Sequence, residues 1–384
     1  MNDPGKPRFR LKDLGLWRAG GAVACLMLLA AIFAFPSIVL PVVALLCGGL
    51  FFLYGVKSYA SVAIIMLSTT GANGNGNQNG DRHKGRRSGL LGRLKGGKGK
   101  NPSGGIGNGK PNRLPPDKQP FISIQLPMYN EGRVVDRLLA ACTQLDYENY
   151  EVLVADDSSD ETLSTLERWA KHPKVRVSHR INRSGFKGAA LKHASEVMSP
   201  KTEFVAVFDA DFIPPPDILH QFLAYFYGVP DGNTGTEAGS EPYLLDESLA
   251  VVQGYQWHVL NASENWITRG IRAEFAGSYV IERSSQELTG GMKMISGSVF
   301  MIRADVLRKH KWGTSITEDW ELTLRLYLDG YKVLYSPFIQ APAECVSDFK
   351  QLTRQRMRWA EGHTFNVKRY FLAVMRSPNL TLRE

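Results

Sequence analysis

The chain has 384 residues, 43% apolar and 22% charged, enough for a substantial buried core, and its four cysteines show no pair with metal-ligand or redox spacing. Its net charge of +9 would suit a nucleic-acid partner, but residues 71–118 carry eleven Lys/Arg against two Asp, which is the whole excess. The rest is close to neutral and holds no DNA-reading motif, so a basic patch folded onto the domain surface is not indicated, no nucleic-acid partner is expected, and a nucleic-acid-gathering membrane protein would depend on that segment alone.

At the N-terminus, Lys6, Arg8, Arg10, Lys12 and Arg18 form a basic segment over 1–18, followed by a block with no charge before Lys57. Residues 19–56 are too long for one span of ~20 residues and suit a hairpin of two transmembrane helices turning at Pro36 and Pro41. A secretory signal peptide would have a shorter apolar core. Positive charge on both sides predicts a multi-pass cell-membrane protein with both ends, and the following domain, in the cytoplasm. Residues 57–118 read as a Gly-rich basic linker, with fourteen of the 37 glycines in 71–118, too polar to offset the entropy of ordering.

After Pro120, short apolar runs alternate with helical stretches. Strands are predicted over 121–126, 151–155, 175–178 and 204–208, and helices over 132–144, 162–171 and 188–198. This alternation implies an α/β domain with a mainly parallel sheet covered on both faces. Ligands bind such sheets beyond the carboxyl ends of the strands. There the sequence places Asn130-Glu131, then Asp156-Asp157, then Asp209-Ala210-Asp211. Asp and Ser after a strand are also ordinary turn formers and helix caps. Asp209 and Asp211, two apart in extended chain, face the same way and suit a hard divalent ion. Further on, Thr317-Glu318-Asp319 opens a helix, with Thr317 as its cap. Gln355, Arg358 and Trp359 fall on one helical face. Residues 228–247 read as an acidic, Gly-rich surface loop.

The order of these motifs resembles the processive branch of glycosyltransferase family 2, to which cellulose, mannan and hyaluronan synthases belong. The resemblance covers about 120–370. It implies a GT-A fold over 119–364 and an inverting, metal-dependent hexosyltransferase that moves a hexose from a nucleotide sugar, of the UDP-glucose type, to a growing β-glycan. It further implies that Asn130, Glu131, Asp156, Asp157, Lys187, Asp209 and Arg358 bind the donor, and that Asp209 and Asp211 hold Mg²⁺ or Mn²⁺. By the same resemblance Gly297, Ser298, Glu318, Gln355 and Trp359 lie at the acceptor, and Asp319 is the general base.

Trp359-Ala360-Glu361-Gly362 is also similar to bacterial synthases that glucosylate diacylglycerol. Single transfer to a membrane lipid is therefore the second reading, and an inactive scaffold that keeps the fold is the third. Processive relatives carry further transmembrane helices after this motif. Here 365–384 is expected to be an amphipathic interfacial segment, either truncated before such helices or part of an enzyme whose product does not thread its own pore.

Overall fold

The computed structural model describes residues 23, 26, 27, 30, 34–73, 114, 116–228 and 243–384. The chain divides into two units, Met1–Ala63 and Ile64–Glu384.

Helix α1 (Pro36–Asn73) contains a stretch, Pro36–Ser68, of mean hydropathy 2.3, long and apolar enough to cross a membrane. It corrects the sequence expectation in two places. Pro41 lies inside the helix instead of in a turn, and the helix runs past Lys57 into the segment assigned to the linker. Pro36 suits a first helical position because it has no N–H to leave unpaired. Beyond Lys57, Val62, Ala63, Ile64, Ile65 and Leu67 keep the chain apolar. Most of the first expected span, and most of the linker, lies outside the described residues.

In the second unit, β1 (Ile122–Met128), β2 (Tyr150–Asp156), β3 (Val175–His179) and β4 (Phe204–Val207) fall within two residues of the expected strands. Strands β5 (Tyr227–Gly228), β6 (Tyr243–Leu244), β7 (Leu249–His258), β8 (Phe300–Arg303) and β9 (Lys332–Ala343) follow. The short β5–β6 pair flanks residues 229–242, so most of the loop expected at 228–247 lies outside the described residues. The main sheet has the order β3-β2-β1-β4-β8-β7-β9. Only β8 runs against its neighbours.

The helices are α2 (Val135–Thr143), α3 (Thr162–Trp169), α4 (Phe186–Val197), α5 (Ile218–Phe226), α6 (Trp266–Ala276), α7 (Ser284–Thr289), α8 (Ala304–His310), α9 (Glu318–Leu328) and α10 (Phe349–Arg376), with a π-helical turn at Gly277–Arg283. Alternate residues of each strand feed opposite faces of the sheet. On one face Ile122, Ile124 and Val154 meet Leu138 and Leu139 of α2 and Phe222 of α5. On the other, Leu153, Val205 and Val207 meet Leu191 of α4 and Leu322 and Leu326 of α9. Helices of 9 to 12 residues such as α2 and α4 are too short to persist alone. Each fully buried Leu or Ile contributes roughly 1.5–3 kcal/mol, and that burial holds them in place. Because both faces are covered, β2 is buried along its whole length and reads as an apolar run.

Two features of this topology build a cleft. Strands β2, β1 and β4 are adjacent and parallel, and the chain order reverses direction between β1 and β4, which opens a crevice beyond their carboxyl ends. The end of β9 then crosses to that crevice. Phe212 pairs with Ala343, and the Glu344 N–H donates to the Asp211 carbonyl at 3.3 Å.

Candidate active site

The loops after β1 and β2 are fastened to each other. Asn130, at φ 56°, accepts a hydrogen bond from Ser159 N–H at 2.9 Å, and its own N–H donates to Ser158 Oγ at 2.8 Å. Left-handed backbone is tolerated by Asn, whose short side chain bonds locally. Asn130 is thereby turned to the next loop, while Tyr129 and Glu131 face the cleft. The donor contact expected of Asn130 is thus replaced, among the contacts the structure shows, by a loop-to-loop fastening. Asp156 follows the same pattern. It is fully buried, accepting from Ser158 N–H at 3.1 Å and lying 2.6 Å from His179 Nδ1, so it shapes the loop from beneath. Asp157 does line the cleft, gripped at both oxygens by Arg180 at 2.8 and 2.6 Å.

Beyond β4 lies the densest set of charges. Lys187 Nζ donates to Asp209 at 2.6 Å and to the Gly297 carbonyl at 2.8 Å, and stands 3.7 Å from Glu318. Burial works against this ammonium, but Asp209, Glu318 and Asp319 outweigh it and hold it protonated. Burial, with the Asp209 charge behind it, pushes the Asp211 carboxyl up to about 7. The same two causes raise Glu131 to about 7. Acids outnumber cations at this point. The donors are carboxylate oxygens only, the set a hard divalent ion takes when substrate phosphates complete its shell, so Asp209 and Asp211 fit such an ion. Among the described residues no group of three or more His, Cys, Asp or Glu side chains is gathered tightly enough to hold a metal alone.

On the far side, Gly297 adopts φ 77°, and a Cβ there would sit 3.2 Å from Asp319 Oδ2 and 3.3 Å from Lys187 Nζ. At that φ any side chain is strained, and a Cβ would also press on both groups. Ser298, expected at the acceptor, is fully buried and accepts the Asp209 N–H at 2.9 Å. It anchors the loop that carries Asp209. Asp319 accepts the Trp320 N–H at 2.8 Å. Burial raises both Glu318, to about 8, and Asp319, with Lys187 opposing in each case. Thr317 makes no side-chain cap. Its hydroxyl accepts from Asn366 of α10 at 3.0 Å, and a Cβ on Gly362 would come within 2.6 Å of it. This close approach of α9 and α10 brings Trp359 and His363 into the cleft that holds Asp319.

Glu131, Asp211 and Glu318, pushed up to about 7 to 8, give the protein a pH signature, with Asp319 raised beside them. Each binds its proton more tightly when folded than when unfolded, so its contribution to stability is complete below about pH 4 and is lost as pH rises through about 7 to 8. The melting temperature of metal-stripped protein is expected to fall across that window, and Glu318→Gln to flatten the fall. A profile unchanged by Glu318→Gln would contradict the assignment.

Two connected clefts result, of about 680 and about 780 Å³. The larger is walled by Glu131 and Asp157, the smaller by Gly297, Glu318, Asp319 and Trp359, and both are lined by Lys187, Asp209, Asp211, Gln355 and Arg358. Gln355, expected at the acceptor, thus lines both clefts. Arg180 and Arg183 are not anticipated from the sequence, though the strand-end rule applied to β3 leads straight to them. His363 sits four residues after Trp359, so helical spacing flags it. Glu344, which ion-pairs Arg133 and Arg137, has no local signal because only the crossing of β9 delivers it.

The family described as glycosyltransferase like family 2 matches residues 119–362. Glucomannan 4-beta-mannosyltransferase 7 of Arabidopsis thaliana is 29% identical over 275 residues, covering 68% of this chain and 46% of that protein. Glucomannan 4-beta-mannosyltransferase 9 of the same plant is 30% identical, covering 68% and 48%. The chain spans about half the length of the curated relatives it matches. Mannosyltransferase PcManGT from Pyrobaculum calidifontis, solved with GDP-Man and Mn²⁺, superposes with a TM-score of 0.51 at 20% identity, covering 67% of this chain and 65% of that one.

Proposed function

This chain belongs to glycosyltransferase like family 2 and has the GT-A fold, and from that premise we propose that it transfers a mannosyl residue from GDP-mannose to a growing β-glycan, inverting the anomeric carbon. The observation that carries this reading is the pair of clefts joined at Lys187, Asp209, Asp211, Gln355 and Arg358. One cleft takes the nucleotide and the other the acceptor, so the sugar changes hands where they meet. The names of the mannosyl relatives move the donor away from the UDP-glucose type expected from sequence.

In this reading Asp157 receives the base, while Lys187 and Arg358 face the diphosphate. Asp319 accepts the proton of an acceptor hydroxyl, whose oxygen attacks the anomeric carbon from the side opposite the diphosphate. The bond to the phosphate oxygen breaks, and the nucleoside diphosphate leaves with the electron pair. Burial suits Asp319 to the task, because a carboxylate with raised proton affinity is the better base near neutral pH. A divalent ion held by Asp209 and Asp211 would supply charge neutralisation on the leaving diphosphate. Trp359 offers a ring face to an acceptor sugar. The α1 segment anchors the protein in a membrane, and the flanking positive charge favours a cytoplasmic catalytic domain.

Membranes containing the protein, supplied in turn with labelled GDP-mannose, UDP-glucose and GDP-glucose plus Mn²⁺, test this. The expected product is an alkali-insoluble β-glycan made from GDP-mannose and released by β-mannanase. A chloroform-soluble glycolipid would replace the acceptor, and incorporation from UDP-glucose alone would replace the donor.

A further inference from the structure

At the junction of the two clefts, Arg183 is a cation with no task in the reaction just described. It lies in the turn between β3 and α4, where its carbonyl accepts the Phe186 N–H at 3.1 Å and Ser184 N–H donates to Asn182 Oδ1 at 2.8 Å. Its guanidinium carbon rests 3.3 Å from the centre of the Tyr129 ring. It lines both clefts beside Lys187, Asp209 and Asp211. Among the other arginines of these walls, Arg133 is held by Glu344, Arg356 by Glu274 at 2.6 Å and Arg283 by the Met294 carbonyl at 3.0 Å, while Arg358 already has the diphosphate as its proposed partner. Among the described residues Arg183 makes no ion pair.

Stacking covers the flat face of a guanidinium and leaves its N–H edge free, with orientation already fixed. That edge is a planar fork suited to two oxygens of a phosphate. The neighbouring carboxylates would repel a diphosphate, so a further cation at this point is what such a ligand requires. An arginine serving only to fasten its loop would instead be expected on a carbonyl or a carboxylate, as Arg308 is on the Pro200 and Thr202 carbonyls.

We propose that Arg183 is a ligand of the donor's diphosphate and that Tyr129 is its positioning residue. The inference rests on the nucleotide-sugar reading above. On donor binding the guanidinium edge takes phosphate oxygens while the Tyr129 ring supports it from behind, so the leaving group is held from the β3 side as well as by Lys187 and Arg358.

Calorimetric titration of the full chain in detergent, with Mn²⁺, using GDP, guanosine, UDP and uridine, tests it against Arg183→Met, Arg183→Lys and Tyr129→Leu. The nucleoside diphosphate bound by wild type is expected to weaken about 10–100-fold in Arg183→Met, the loss of a charge-assisted contact, with its parent nucleoside changed less than about 3-fold. Arg183→Lys should recover part of the loss, and Tyr129→Leu should weaken the diphosphate about 3–10-fold by releasing the stack. Equal losses for nucleoside and diphosphate would assign Arg183 to the base and overturn the proposal, as would unchanged binding in Arg183→Met. Wild-type protein that binds neither GDP nor UDP would overturn the donor reading, and this inference with it.

Discussion

Asp319→Asn is expected to lower kcat about 10²–10⁴-fold while GDP binding stays within about 3-fold, because removal of a general base costs that much and the proposed reading puts the residue in the cleft that takes the acceptor. The replacement keeps shape and can still accept the Trp320 N–H, so the loss would be chemical and not architectural. Stability gives the control. Asp319 is a buried carboxyl whose proton affinity is raised, so an amide in its place should leave the melting temperature unchanged or higher. Slow hydrolysis of the donor to free mannose should persist, since water can attack without a positioned base. Turnover within about 10-fold of wild type would remove Asp319 from the role of base. The neighbouring Glu318 would then be the group to examine, being 3.7 Å from Lys187 and buried.

Asp211→Asn is expected to separate stability from function. Asp211 is pushed up to about 7 by burial and by Asp209, so at pH 8 it is charged at a cost to the fold and at pH 5 it is neutral. The amide should therefore raise the melting temperature of metal-stripped protein by about 2–5 °C at pH 8 and change it little at pH 5. Mn²⁺-dependent GDP binding should fall at least about 100-fold, because an amide oxygen is a far weaker ligand for a hard cation. Melting curves at the two pH values and titration of GDP with and without Mn²⁺ provide the readouts. Binding of GDP with Mn²⁺ at wild-type strength would show that Asp211 is not a metal ligand. The pattern would be that of a site where destabilising charge is kept for chemistry.

The first four strands and the helices between them were legible because their signals are local. Runs such as Val152-Leu153-Val154 end in Asp-Asp, and β4 ends in Asp-Ala-Asp, so the acids could be assigned to one sheet edge before any tertiary contact was known. The strands β7, β8 and β9 were not anticipated. Their neighbours in the sheet are distant in sequence, and β8 enters between β4 and β7 in the reverse direction, a choice made by burial across the whole sheet. The helix α1 shows the same limit from the other side. Proline is a turn signal in an isolated reading, yet Pro41 was absorbed into a helix of 38 residues.

Residue chemistry and spacing thus disclosed which carboxylates collect beyond the strands, and the resemblance to the family added Asp319 and Trp359 to them. The folded chain alone divided their labour. Asp156 and Ser298 go under the loops because their partners, His179 and the Asp209 N–H, come from segments 23 and 89 residues away. Asp157 stays in the cleft because Arg180 reaches it, and Arg183 stands ready beside Lys187 because Tyr129 supports it. Side-chain type and short-range period are properties of neighbouring residues and survive in any conformation. Burial, charge pairing and proton affinity are properties of what the sheet brings near, and they exist only once it has closed.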